Sequence, residues 1–138
     1  MRFVVYLSGL LLAFSAIVGC INTRTNASVD NSKFGKITES RVVGSYSGDL
    51  PCTDCDAIAT VLTLANDKGY TLEYVYVGKG MEAFSKSGKW ELDNGELNLE
   101  GLDYKYKVEL NQLRQLDLSG KEITGDLAER YVLHSLER

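Results

Sequence analysis

From Arg41 onward, apolar and polar residues alternate with a period of two, the pattern of strands that turn one face inward. In Ala57-Ile58-Ala59-Thr60-Val61-Leu62-Thr63-Leu64, the residues Ile58, Thr60, Leu62 and Leu64 share a face, and over residues 70–76 so do Tyr70, Leu72, Tyr74 and Tyr76. Asn66-Asp67-Lys68-Gly69 supplies the positive-φ position of a hairpin turn between them. Asp93-Asn94-Gly95 repeats the device between strands at 89–92 and 96–99. Further strands are expected at 42–47, 81–85, 104–110, 113–118 and 131–136, with Asn111-Gln112 as a turn and Ser119-Gly120 as a stop. These runs amount to roughly eight short strands, closely spaced as in a sandwich or barrel. No stretch after Cys20 sustains a helical period for three turns. An antiparallel meander that closes on itself removes its open edges, so the expectation is an all-β fold, a small antiparallel β-barrel.

The first forty residues follow a different pattern. Arg2 precedes an apolar run from Val4 to Val18, a positively charged start followed by the hydrophobic region of a signal peptide. The run is shorter than the roughly 20 residues of a spanning helix. It ends in Ile17-Val18-Gly19-Cys20, which marks Cys20 as a lipoprotein acceptor. Residues 1–19 are then a cleaved leader, and several acyl chains such as palmitate on Cys20 would hold the chain on a membrane more firmly than one. Residues 20–40 are rich in Asn, Thr and Ser and too poor in apolar side chains to offset their ordering, so they are expected as a lipidated, flexible linker. Ile21 follows Cys20 where an Asp would retain an enterobacterial lipoprotein in the inner membrane. The expected location is the outer membrane, lipid-anchored and facing the periplasm.

Residues 41–138 are enough for one small domain with its own core. The chain carries a net charge of −4 at pH 7, and the basic stripe that phosphate binding requires is absent. Nucleic acid is thereby excluded as a partner.

With Cys20 assigned to lipid, the remaining two of the three cysteines form Leu50-Pro51-Cys52-Thr53-Asp54-Cys55. Pro51 disfavours helix for Leu50, so Cys52 begins a bend and not the helix N-terminus that activates a thiol. The βαβ setting of a redox enzyme is also missing. Two readings stay open. In an oxidising compartment Cys52 and Cys55 join as a structural disulfide, or, when reduced, they hold Cu(I), a soft ion that prefers thiolates. Asp54 and Asp56 add charge beside them, but His134 and Met81 are the only His and Met of the body. His134 reads as a wall residue between Val132 and Leu136. Tyr70, Tyr74, Tyr76, Tyr104 and Tyr106 either line a ligand cavity or pack across strands, and Trp90 reads as core. Asp49, Asp54 and Asp56 lack the spacing of a calcium loop. No Ser-His-Asp set, metalloprotease motif or phosphate loop is present, so no catalytic residue is assigned and an enzyme is not expected.

The string Gly44-Ser45-Tyr46-Ser47-Gly48-Asp49-Leu50-Pro51-Cys52-Thr53-Asp54-Cys55, followed by residues 58–64, resembles the N-terminal domain of the NlpE family of copper-resistance lipoproteins. Tyr70, Gly88-Lys89-Trp90, Leu116-Asp117, Gly120 and Tyr131-Val132-Leu133 continue the likeness. The resemblance implies a lipocalin-like barrel anchored to the outer membrane, a part in copper tolerance, and signalling of surface or lipoprotein-trafficking stress to an inner-membrane sensor kinase. The family's second, OB-like domain has no counterpart in these residues. A second reading, of another class, is a carrier that holds a small apolar ligand inside the barrel.

Overall fold

A computed structural model describes residues 36–137. The leader, Cys20 and most of the expected linker lie outside the described residues. The last expected linker residues, 36–40, border the turn at Asn94 and Gly95. There Glu39–Arg41 forms a 3-10 turn, and Glu39 pairs with Lys68.

Eight strands follow in order: β1 (Gly44–Leu50), β2 (Ala57–Leu64), β3 (Gly69–Val77), β4 (Ala83–Asp93), β5 (Glu96–Leu99), β6 (Lys105–Glu109), β7 (Gln112–Gln115) and β8 (Val132–Ser135). Each pairs antiparallel with the next, and β8 returns to β1 through Tyr46↔Ser135 and Ser47↔His134. The meander therefore closes into a barrel, as the alternation predicts. The inward positions of the lower wall, Tyr46, Leu62, Leu64, Tyr70, Trp90, Leu97, Tyr106, Leu113 and Leu133, are all buried and form one core. Burying such side chains contributes about 1.5–3 kcal/mol each relative to exposure. Trp90 is core as expected, and its indole N–H donates to the Ala65 carbonyl at 3.0 Å.

Several boundaries differ from the pattern's prediction. The segments expected at 81–85 and 89–92 are one strand, β4, whose first half lacks an apolar period because little covers it. β7 ends at Gln115, and Leu116 bridges to Glu122. In the β2–β3 turn the positive φ falls on Lys68 (69°) and not on Gly69, while Asp67 Oδ1 accepts from the Gly69 N–H at 2.9 Å. Asn94 (49°) and Gly95 (85°) carry the β4–β5 turn as expected. The β6–β7 turn sits one residue early, with its positive φ on Asn111 (59°).

Because the strands alternate in direction, the β1–β2, β3–β4, β5–β6 and β7–β8 connections gather at one end of the barrel. The Cys-x-x-Cys segment belongs to that end.

Candidate functional site at the open end of the barrel

The motif string owes its form to the closure of the barrel. Gly44 has φ of 143°, in the region that favours glycine. Tyr46 is buried, and its hydroxyl donates to the Val42 carbonyl at 2.9 Å. Burial, and secondarily the charge of Glu137, pushes the Tyr46 phenol above its ordinary pKa. Gly48 is where β1 and β8 approach: a Cβ there would lie 2.4 Å from the Val132 carbonyl oxygen. Leu50 returns to the interior, and Pro51 releases the chain into the loop.

In that loop Cys52 and Cys55 are joined as a disulfide, with their Cα atoms 5.3 Å apart. Asp54 at its tip pairs with Lys79 of the β3–β4 connection, and this hydrogen bond, then the charge of Lys79, holds the Asp54 carboxyl below its usual range. The Asp56 N–H donates to the Val77 carbonyl at 3.0 Å. The disulfide loop is thus fastened at two points, to the end of β3 and to the connection that follows it. Cys52, Asp54 and Cys55 bring possible ligand atoms within 4.8 Å of one another. As joined sulfurs they offer no thiolate, however, and the one carboxylate is a hard donor already paired with Lys79. In this joined state the donor set does not fit Cu(I).

Behind the loop lies a cavity of about 280 Å³. Leu50, Ile58, Leu72 and Leu102 form its apolar wall, and Tyr74, Tyr76, Tyr104, Lys86 and Gln115 add polar tips. Tyr74 stacks on Phe84 with ring centroids 5.3 Å apart, and Tyr76 meets both rings edge-on at 5.7 and 5.6 Å. Of the five tyrosines predicted to line a cavity or to pack, three do the first, while Tyr70 and Tyr106 belong to the core. Tyr70 donates to the Glu100 carbonyl at 2.6 Å. Tyr106 is fully buried and its hydroxyl has no well-formed hydrogen-bond partner; desolvation first, then the neighbouring Tyr104 hydroxyl, pushes its pKa well above the ordinary value. Burial also raises Tyr104, against the Tyr106 hydroxyl, which acts to lower it, and with help from the neighbouring tyrosines 74, 70 and 76. Gln115, opposite Tyr106 in the β6–β7 register, leaves its buried Oε1 unpaired as well.

His134 is exposed on β8, in register with Gln112 and Ser47. Of its two expected wall partners, Val132 is buried but Leu136 is 60% exposed, and the wholly buried residue of this strand is Leu133 on the opposite face. Asp49, Asp54 and Asp56 are exposed. Lys86 is the site residue that sequence reasoning missed, having been placed in a connection between two short strands. Counting back in twos from Trp90 through Gly88 would have put it on the inner face.

The NlpE N-terminal domain family matches residues 46–126. Lipoprotein NlpE of Escherichia coli strain K12 is 29% identical over 119 residues, spanning 82% of this chain and 49% of that protein. The chain thus spans about half the length of that curated relative. Among solved structures, a Shewanella oneidensis chain described as a lipoprotein is 42% identical with a TM-score of 0.64, covering 70% of this chain and 90% of that one. The Cpx pathway activator NlpE from Escherichia coli is 31% identical with a TM-score of 0.54, covering 60% of this chain and 46% of that one. The Shewanella chain is nearly all accounted for by the match, so a barrel of this extent stands as a folded body.

Proposed function

Since the chain belongs to the NlpE N-terminal domain family, we propose that it is a non-enzymatic, lipid-anchored factor of the bacterial envelope that reports envelope stress and contributes to copper tolerance. The observation that carries this reading is the family match itself, which runs from Tyr46 through the disulfide loop and the barrel wall to Asp126. The anchor is Cys20, acylated after removal of residues 1–19, and it holds the barrel on the periplasmic face of the outer membrane. Its partner is an envelope stress sensor in the inner membrane. That role is drawn from the relative named as a Cpx pathway activator, of which this chain matches less than half.

Chemistry at the open end supports a binding role over a catalytic one. Its polar groups are phenols, of which Tyr104 is pushed above its ordinary pKa by burial, an amide and one lysine, a poor set for moving protons near neutral pH. The disulfide serves as a clip for the loop between β1 and β2. Copper tolerance then acts through envelope signalling and not through metal held at Cys52 and Cys55. The test is a strain lacking the gene, complemented with the parent or with Cys52→Ser/Cys55→Ser, grown across a copper series with a stress-response reporter. The deletion lowers both tolerance and reporter output, and the parent and the double variant both restore them. Unchanged growth and output in the deletion at every dose would remove the proposal; failure of the double variant alone, with the barrel folded, would return the copper role to the thiols.

A further inference from the structure

Lys86 stands on the inner face of β4. It is opposite Leu72 in the β3–β4 register, and Leu72 is 2% exposed. Lys86 is itself exposed, so its stem can lie along the apolar wall while its ammonium stays in water at the mouth of the cavity, where an anion can meet it. Among the described residues no carboxylate pairs with it, as none does with Lys36, Lys89 or Lys121, whereas Lys68, Lys79, Lys105, Lys107 and Arg114 are paired.

The wall beside Lys86 is open. β4 pairs with β3 from Lys89 to Ala83, yet its pairing with β5 begins only at Trp90↔Leu99. Residues 83–88 therefore have no strand on their second side; Lys86 is the β4 residue that lines the cavity, and Phe84, 38% exposed, stacks on Tyr74 of the cavity wall. Inside, the cavity has room for about nine water-sized groups, taking roughly 30 Å³ for each. At its wall the Gln115 Oε1 is an acceptor without a partner, and Tyr106, opposite it in register, has a hydroxyl without a well-formed one. Unpaired buried polar atoms are costly in an apolar setting. Here two stand together on neighbouring strands.

We propose that this cavity binds a small amphipathic carboxylic acid, with its carboxylate on Lys86, its apolar body between Leu50, Ile58, Leu72 and Tyr74, and a hydroxyl at its far end donating to Gln115. The aromatic cluster of Tyr74, Tyr76 and Phe84 lines the entry and covers the body. This binding goes beyond the envelope-stress reading and does not depend on it. It needs neither the lipid anchor nor the disulfide.

The soluble body, residues 36–138, is titrated by calorimetry with octanoate, 8-hydroxyoctanoate and 1-octanol, each below its aggregation limit. Octanoate binds about tenfold more tightly than 1-octanol, as a charge-assisted contact predicts, and 8-hydroxyoctanoate binds more tightly still. Lys86→Gln brings octanoate down to the level of 1-octanol while leaving 1-octanol unchanged, which shows that the cavity has kept its shape. Gln115→Met removes only the advantage of the hydroxyl. Three results would each overturn the proposal: no binding of octanoate, equal binding of acid and alcohol, or an unaltered octanoate affinity in Lys86→Gln. The last, accompanied by self-association of the variant, would make Lys86 a guard of the open β4 edge.

Discussion

At the scale of single residues, Gly48 shows how the motif string works. Its φ is not positive, so conformational freedom is not what it supplies; it supplies room for the Val132 carbonyl of β8. That carbonyl is backbone and cannot swing aside as a side-chain tip would. Gly48→Ala is expected to lower unfolding free energy by about 1–3 kcal/mol, the usual cost of forcing atoms into a packed place, as read in urea melts followed by Trp90 fluorescence. A glycine that needs space and one that needs a positive φ are identical letters, so the role of Gly48 was not legible before the β1–β8 pairing was known. The burial of Trp90 and of the alternating Leu62, Leu64, Tyr70 and Leu72 was legible, because a period of two assigns faces without knowledge of the neighbours. Lys86 was hidden by the same logic in reverse. Ser85-Lys86-Ser87-Gly88 offers no apolar alternation, and a strand with little against it on one side has no burial pattern to display.

At the scale of elements, the hairpins were read more accurately than the strands' ends. Asn94-Gly95 places two positive φ values where its turn demands them. At the β2–β3 turn, Lys68 takes the left-handed position, where it pairs with Glu39 and sits 4.2 Å above the centre of the Trp90 ring. Those contacts lie far apart in sequence and leave no local signal. The β6–β7 hairpin carries its own polar clamp. Burial tends to raise the Glu109 carboxyl, but hydrogen bonds from Gln112 and Arg114, with the charges of Arg114 and Lys107, hold it below its ordinary pKa of 4.5. A carboxyl lowered by folding contributes stability above its unfolded pKa and loses it as pH falls through the folded value. Glu109→Gln should therefore destabilise the barrel by about 1 kcal/mol at pH 7, a modest figure because the group is partly solvated. The gap from the parent should close as pH drops below 4.5, and a pH series of urea melts reads it directly. A gap that persisted undiminished to pH 2 would mean that packing, and not charge, holds this hairpin.

At the scale of the whole molecule, the fold of the body was legible because closure follows from local rules: short alternating strands, tight turns and, after Cys20, no helical period long enough to cover an open sheet. The open end was only partly so. The pairing of Cys52 with Cys55 was one of two readings, and only the structure, with the sulfurs joined and Asp54 drawn to Lys79, favours the clip over a soft-metal site. Closing so short a loop is worth about 2 kcal/mol in the chain-entropy account, so Cys52→Ser/Cys55→Ser should lose roughly that much stability and still fold. The central claim joins this clip to the lipid on Cys20, and intact-mass measurement of the protein extracted from its own envelope tests both together. The predicted species begins at Cys20, carries acyl chains there, and gains two alkyl groups at Cys52 and Cys55 only after reduction. A mass that retains residues 1–19 without lipid, or two alkylated cysteines before any reductant is added, would contradict it.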